Sequence, residues 1–191
     1  MIIPPVGVSE YEVRSYYEDI AKAIPLPIFI QDITSAPVTP ALAGKLAQDN
    51  SNICYAKVET LPTPPRISKA LEKGNGDLIV FGGAGGSFLI EELERGAVGT
   101  MPWASIPEAY KETLDLFFDN KVDEARRQML RFEPMLRILS QPGVSFALTK
   151  EILKIRGVFK TSKVRSPYDA PDSSTVAETH RILKDLQLSK Y

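Results

Sequence analysis

The sequence contains very few of the side chains from which common metal and hydrolase sites are built. Its 191 residues include one cysteine, Cys54, and one histidine, His180. A single cysteine cannot form an internal disulfide, and a Cys/His zinc site needs more ligands than these. His180 lies in a polar C-terminal segment, which favours a solvated helix position over a role in a Ser–His–Asp triad. We therefore expect no metal site and no cofactor, and the cysteine usage fits a reducing cytoplasm best.

Two more features are missing, and each excludes a class of partner. The net charge is −1 and charges of both signs are mixed along the chain, so no basic patch predicts nucleic-acid binding. The longest apolar stretches, such as IPLPIFI at 24–30, are too short to cross a membrane. The N-terminus MIIPPVG has neither the basic region nor the cleavage site of a signal peptide. The sequence predicts a cytoplasmic globular protein that binds neither nucleic acid nor membranes.

Apolar, β-branched runs alternate with helical patterns through the first part of the chain. The runs are residues 1–5, 27–31, 53–57, 78–82 and 97–101. The intervening helical patterns cover residues 10–23, 39–49, 65–73 and 87–95. Strand, helix, strand at this spacing predicts βαβ units and a parallel sheet, and continuous apolar strands favour burial on both faces. Two architectures follow, a (β/α) barrel or an open doubly wound sheet.

The pattern becomes helical after residue 105, with predicted helices at 106–118, 121–140, 144–157 and 175–186. We expect a partial (β/α) barrel in residues 1–120 and a helical C-terminal extension in residues 121–191. A barrel closes with eight strands, and five are predicted here. Because five parallel strands alone would leave two unpaired edges, the chain is expected to lack the N-terminal third of a barrel.

The stretch CYAKVET, residues 54–60, ends an apolar strand on a lysine, Lys57, followed two residues later by Glu59. Lys57 can be a strand-end lysine that reaches solvent or pairs with Glu59. It can also be a Schiff-base lysine, since a buried amine loses its proton more readily and attacks a ketone when neutral. The carboxyl ends of barrel strands open into the active-site mouth, where such a lysine must lie.

Four motifs in order resemble the dihydrodipicolinate synthase/N-acetylneuraminate lyase family: PIFIQD, YAKVE, ERGAVGTM and DEARR…LRFEPMLRIL. The family consists of class I aldolases, dehydratases and lyases on a (β/α)8 TIM barrel with a C-terminal helical extension. The resemblance implies that this chain carries about strands 4–8 of that barrel. It implies that Lys57, at the end of strand six, forms the imine. It further implies that Gly82 and Gly83, at the end of strand seven, and Thr100, in strand eight, line the substrate site.

The sequence departs from the family pattern where most members have a tyrosine in YNxP. Here the same place reads QDIT, beginning with Gln31, and the second family tyrosine falls near Val6. This departure puts a tyrosine proton relay in doubt. QD together with KVE looks more like the branch of 2-keto-3-deoxy sugar-acid dehydratases, typified by 2-keto-3-deoxyarabonate dehydratases. In that branch Glu59 would help remove water from the imine, and Gln31 would hydrogen-bond a substrate hydroxyl or carboxylate.

Three functions remain open on this resemblance. The first is a dehydratase that forms a Schiff base with a 2-keto-3-deoxy sugar acid. The second is a pyruvate-dependent aldolase or synthase of the same family. The third is a truncated, non-catalytic member, because the family's Thr-Thr or Ser-Thr pair, which holds the substrate carboxylate, belongs to the first three strands. We expect a small 2-keto acid as substrate and a homo-oligomer, a dimer or a tetramer.

Overall fold

The computed structural model describes residues 1–188 and has a parallel three-stranded sheet at its centre. The strands are β1 (Ile28–Asp32), β2 (Ile53–Val58) and β3 (Ile79–Gly82), hydrogen-bonded in the order β1-β2-β3. Two outer segments extend the same order through single parallel bridges, Ile2 with Ile30 and Thr100 with Gly82. The predicted α/β architecture with a parallel sheet is confirmed.

The outer segments, which the apolar pattern predicts as full strands, form only short pairings. Ile2 donates its N–H to Phe29 O at 2.9 Å and accepts the N–H of Gln31 at 3.0 Å. Two prolines, Pro4 and Pro5, follow Ile2 and have no N–H to extend the ladder. On the other side Val98 N–H donates to Val80 O and Met101 N–H to Gly82 O, and a proline again ends the segment.

Four helices accompany these strands: α1 (Glu10–Ala23), α2 (Pro40–Asp49), α3 (Thr63–Gly74) and α4 (Leu89–Leu93), with a short 3-10 turn at Ala84–Gly86. Local signals determine where α1 and α2 begin. Ser9 and Glu12 form a reciprocal capping box before α1. Thr39 accepts the N–H of Leu42, and proline occupies the first turn of α2, as predicted.

The two faces of the sheet have different environments. One face, with Ile28, Ile30, Ala56 and Val80, belongs to a core cluster that includes residues of α1, α2 and α3. The opposite face carries aromatic rings that are only half-buried. Side chains alternate between faces along a strand, so Gln31 and Lys57 lie on this second face. The covered face therefore supplies the core, and the second face carries the candidate chemistry.

By its internal contacts the chain divides into two compact units, residues 1–102 and 103–191. The second unit contains α5 (Pro107–Phe118), α6 (Val122–Leu139), α7 (Ser145–Ile155) and α8 (Ser173–Asp185). Pro134 lies inside α6 without dividing it. Buried side chains of this unit include Met135, Leu139, Leu148 and Ile152.

The predicted domain ranges, 1–120 and 121–191, follow the family's architecture and stay a prediction. The last three residues of the predicted extension lie outside the described part of the chain. Within residues 1–188, no helix has both the length and the apolar character needed to cross a membrane.

Candidate functional site

The carboxyl ends of β1 and β2 place three polar side chains together. The strand register pairs Gln31 with Lys57 and Lys57 with Phe81. Paired residues of a parallel sheet share a face, and Glu59 follows Lys57 by two residues on that same face. The predicted site residues of the first two strands are therefore neighbours.

Lys57, Glu59 and Gln31 form one hydrogen-bonded group. The Lys57 Nζ lies 2.9 Å from Glu59 Oε2, and the same oxygen accepts a hydrogen bond from Gln31 Nε2. The side chains of Lys57 and Glu59 are 15% and 22% exposed, so the ion pair is largely withdrawn from solvent. An amine and a carboxylate at this distance can exchange a proton directly. Gln31 contacts Glu59 here, in addition to any role toward a substrate.

The second oxygen of Glu59 is held by the glycine-rich turn after β3. Glu59 Oε1 accepts the N–H of Ala84 at 3.1 Å. A Cβ added at Gly83 would lie 2.2 Å from Glu59 Cγ, so a side chain there would displace the glutamate. Ala84 itself has φ +46°, a left-handed conformation that is costly for a residue with a Cβ. The turn therefore fixes Glu59 at the end of β2.

A buried carboxyl group lies on the other side of this turn. Glu92 of α4 is fully buried, and a Cβ added at Gly82 would lie 1.7 Å from its Oε2. Its Oε1 accepts the hydroxyl of Thr63, while its Oε2 has no hydrogen-bond partner among residues 1–188. Burial raises the pKa of Glu92 to about 7, and the nearby Glu91 and Glu59 charges add to this.

Asp32, the last residue of β1, holds the loops around the site. Its carboxylate accepts bonds from Arg66 Nε at 2.6 Å and Arg66 Nη2 at 3.0 Å. It also accepts the N–H of Val38 at 2.9 Å and the hydroxyl of Thr60 at 2.7 Å. One side chain thereby connects the β1 loop, the β2 loop and α3.

Thr100, also predicted to line the site, pairs with Gly82 in the bridge between β3 and the last outer segment. Its hydroxyl oxygen is buried and has no hydrogen-bond partner in the described part of the chain. The structure thus brings Gln31, Lys57, Glu59 and Gly83 into direct contact, with Gly82 and Thr100 on the neighbouring strand pair. The roles predicted for these residues in substrate binding stay predictions.

Three aromatic rings lie on the same sheet face as Lys57: Phe29 and Tyr55 one row before it, and Phe81 in its own row. The rings of Phe29 and Tyr55 are stacked with centroids 4.4 Å apart, and Phe81 lies 5.5 Å from Phe29. Tyr55 precedes Lys57 by two residues on one strand, so the rings cover the sheet beside the amine. The three rings form an apolar surface on this sheet face, next to the hydrogen-bonded group of Lys57, Glu59 and Gln31.

The sequence patterns do not reveal Glu92, Thr63 or the Asp32–Arg66 pair as parts of this region. Glu92 lies in the EEL stretch of a short amphipathic helix, where a glutamate is usually exposed. The one sequence feature that points toward Glu92 is the Gly82–Gly83 pair at the end of β3, because paired glycines are typical of a backbone that another group approaches closely. The family resemblance assigns that space to substrate, whereas the side chains of Glu59 and Glu92 occupy the space next to the pair.

Two other features lie apart from this group. No cluster of three or more His, Cys, Asp or Glu side chains that could hold a metal ion occurs in residues 1–188. In the second unit, a groove of about 650 Å³ lies along α6 and α8, lined in part by Arg137, Arg181 and Ile182. None of the predicted site residues lines this groove.

Comparisons with known proteins agree on one family. A model of the dihydrodipicolinate synthetase family matches residues 3–186. The L-2-keto-3-deoxyarabonate dehydratase of Azospirillum brasilense is 25% identical over 196 residues, which cover 97% of this chain and 62% of that protein.

Solved structures give the same result. The dihydrodipicolinate synthase of Rhodopseudomonas palustris is 26% identical with a TM-score of 0.87, covering 95% of this chain and 64% of that one. YagE, a prophage protein of E. coli K12 solved in complex with pyruvate, has a TM-score of 0.85 at 21% identity, over 95% and 63% of the two chains. The chain thus spans slightly less than two thirds of the length of these relatives.

Proposed function

The chain belongs to the dihydrodipicolinate synthetase family, and on that premise we propose that it is a Schiff-base-forming lyase that removes water from a 2-keto-3-deoxy sugar acid. Lys57 forms the imine, and Glu59 handles the protons of the elimination. The observation that carries this proposal is the largely buried contact of 2.9 Å between the Lys57 amine and the Glu59 carboxylate at the end of β2. The dehydratase relative from Azospirillum brasilense supports the substrate class.

The proposed reaction follows from the chemistry of an iminium. The neutral Lys57 amine adds to the keto carbon C2 of the substrate and water leaves, which gives a protonated imine. This imine withdraws electrons from C3, so the ionised Glu59 carboxylate can remove a C3 proton and hold it. The resulting electron pair expels the C4 hydroxyl group, which leaves as water after receiving a proton from Glu59. Hydrolysis of the imine returns the amine and releases the 3,4-unsaturated product. With 2-keto-3-deoxyarabonate as substrate, this product carries a C5 hydroxyl group and tautomerises to 2-oxoglutarate semialdehyde.

Gln31 and the β3 turn would act by holding Glu59. Gln31 Nε2 and the Ala84 N–H each donate to one carboxylate oxygen, so the carboxylate is fixed beside the amine. Fixing a proton-transfer group before the substrate binds lowers the entropic cost of reaching the reactive geometry. Gly82, Gly83 and Thr100 remain the proposed substrate-lining positions beside them.

The corresponding fold proposal is that β1, β2, β3 and the two outer segments are strands four to eight of a (β/α)8 barrel. Their parallel direction and their unbroken chain order support this proposal. The face with Phe29, Tyr55 and Phe81 would then be the barrel interior. Residues 121–191 would be the helical extension, in a cytoplasmic homo-oligomer of two or four chains.

The decisive experiment is reductive trapping. The protein is incubated with 2-keto-3-deoxyarabonate or pyruvate, reduced with borohydride and mapped by peptide mass spectrometry. We expect irreversible added mass at Lys57 in the unchanged protein and none in Lys57→Arg, because a guanidinium keeps the charge beside Glu59 but does not condense with a ketone. An unmodified Lys57 with every 2-keto acid tried would remove the catalytic claim.

Product analysis of the same incubations distinguishes this proposal from two alternative functions. A pyruvate-dependent aldolase or synthase is favoured by the likeness to the Rhodopseudomonas palustris synthase. Release of pyruvate would support it, whereas formation of 2-oxoglutarate semialdehyde supports dehydration. A non-catalytic family member is favoured by the 62% coverage of the dehydratase relative, and it predicts neither an adduct nor a product.

A further inference from the structure

The Gly82–Gly83 turn passes between two carboxyl groups. A Cβ at Gly82 would meet Glu92 Oε2 at 1.7 Å, and a Cβ at Gly83 would meet Glu59 Cγ at 2.2 Å. Successive residues of an extended chain direct their Cβ atoms to opposite sides. Glu92 therefore contacts the turn from the side of α4, and Glu59 contacts it from the side of Lys57.

We propose that Glu92 is a positioning residue for the imine site, which supports the turn from behind in its neutral, protonated form and so keeps Glu59 in contact with Lys57. This inference rests on the proposed function for its effect on chemistry, but the contact between Glu92 and the turn does not depend on it. Glu92 acts through the backbone of Gly82 and Gly83 rather than by contact with the reacting atoms.

The surroundings of Glu92 favour the neutral form. Among residues 1–188 the charges that act on it are Glu91 of its own helix and Glu59 at the end of β2, and both are negative. The contribution of α3 is the hydroxyl of Thr63, which donates to Oε1 and so favours the ionised form. Burial outweighs this bond and raises the pKa of Glu92 to about 7. The group consequently changes charge close to neutral pH.

Ionisation of Glu92 would place a second negative charge across a two-residue backbone segment from Glu59. The two carboxylates would repel one another in a site with little water to screen them. Glu59 is fixed on that side by the Ala84 N–H, at 3.1 Å, in a turn whose Ala84 already has a left-handed φ. We therefore expect the bond between Ala84 and Glu59 to weaken as Glu92 loses its proton.

The first test follows the Ala84 amide by 1H–15N NMR between pH 5 and pH 8. We expect a chemical-shift step centred near pH 7 in the unchanged protein, and loss of that step in Glu92→Gln. Glu91→Gln is the matched control, because it removes an exposed charge from the neighbouring position of α4. It should retain the step and move it only slightly to lower pH, since the Glu91 charge contributes to the raised pKa of Glu92. An Ala84 amide with no step in the unchanged protein would overturn the inference without requiring any variant.

The second test measures the rate at which pyruvate and borohydride modify Lys57. The rate in Glu92→Gln is divided by the rate in the unchanged protein at each pH. The ratio cancels any effect of pH that the two proteins share. We expect a value near one at pH 6 and a rise of about two- to tenfold by pH 8.5, the size of effect that corresponds to one lost hydrogen bond of ordinary net strength. A structural role alone would change the ratio equally at all pH values, and a ratio that is constant with pH would overturn the positioning role.

Thr63→Val provides an independent check of direction. The substitution removes the Thr63 hydroxyl, whose hydrogen bond stabilises ionised Glu92, so the chemical-shift step of the Ala84 amide should move to higher pH. A step that moves to lower pH would contradict the assignment. If no 2-keto acid ever modifies Lys57 but the Ala84 step behaves as described, the proposed function fails while the coupling between Glu92 and Glu59 stands.

Discussion

The buried Glu92 gives the most quantitative prediction, because its titration links protein stability to pH. The pKa of this carboxyl is raised from 4.5 to about 7 by burial. Between these two values the folded chain binds more protons at Glu92 than the unfolded chain does. The free energy of unfolding therefore falls as pH rises through this interval. The contribution is fully present below pH 4.5 and is lost once the pH exceeds about 7.

The Glu92→Gln substitution removes this dependence. Glutamine keeps the shape of the side chain and an oxygen that can accept the Thr63 hydroxyl, but it does not ionise. A shift from 4.5 to about 7 is worth about 3 kcal/mol in total, of which about 2.5 kcal/mol falls between pH 5 and pH 9. The free energy of unfolding of the variant relative to the unchanged protein should thus rise by about 2.5 kcal/mol over that range.

Urea unfolding followed by far-ultraviolet circular dichroism at pH 5, 6, 7, 8 and 9 measures this difference. Glu91→Gln serves as the control, since Glu91 is exposed on the same helix. Its replacement should retain the pH dependence and move it only slightly to lower pH, because the Glu91 charge is a minor contribution to the raised pKa of Glu92. The absolute stability of Glu92→Gln is not the test, because any substitution in a buried site can shift it. The reasoning is refuted if the difference between Glu92→Gln and the unchanged protein is the same at pH 5 and at pH 9.

Two further predictions concern the packing of the site. Gly83→Ala should lower the free energy of unfolding by about 1–3 kcal/mol in urea titrations, because its Cβ would overlap Glu59 Cγ at 2.2 Å. Gly99→Ala is the control and should lower it less, because a Cβ there approaches Phe81 no closer than 3.4 Å. Equal losses in the two variants would contradict this account. Arg66→Met should cost about 3–5 kcal/mol in the same assay, because it leaves the Asp32 carboxylate buried without its cation. Adding Asp32→Asn to Arg66→Met should recover part of the lost free energy of unfolding, because the buried charge is then removed as well. If the double variant is instead less stable than Arg66→Met alone, the two residues do not act as a pair.

Most of the secondary structure was predictable because its signals are local. The Thr39–Pro40 start of α2 is visible as a capping residue followed by proline, and the structure has that start. The three central strands coincide with apolar runs. The family resemblance stated from four short motifs is confirmed by a family model over residues 3–186. Lys57 was predicted as a site residue from the same patterns, because it combines a strand end with a cation, and its catalytic role stays a prediction.

The outer strands were predicted less well, for a physical reason that a run of apolar residues does not reveal. The apolar content of a segment indicates that it is buried, whereas pairing with a neighbouring strand needs backbone N–H donors in register. Pro4 and Pro5, which follow Ile3, have no N–H to continue the ladder, so the first segment makes one bridge, at Ile2. The predicted helix over residues 87–95 is shorter in the structure, Leu89–Leu93, and a separate turn at Ala84–Gly86 precedes it.

The sequence by itself determined the three central strands, the positions of most helices, their order, and the lysine near the end of the second strand, since these depend on neighbours a few residues apart. Only the tertiary structure decided what surrounds that lysine. Gln31 reaches Glu59 across 28 residues of sequence, and Glu92 reaches Thr63 across 29. Burial of a carboxyl group behind a glycine pair depends on how the β3 turn, α3 and α4 pack together, and side-chain periodicity along one element carries no information about that packing.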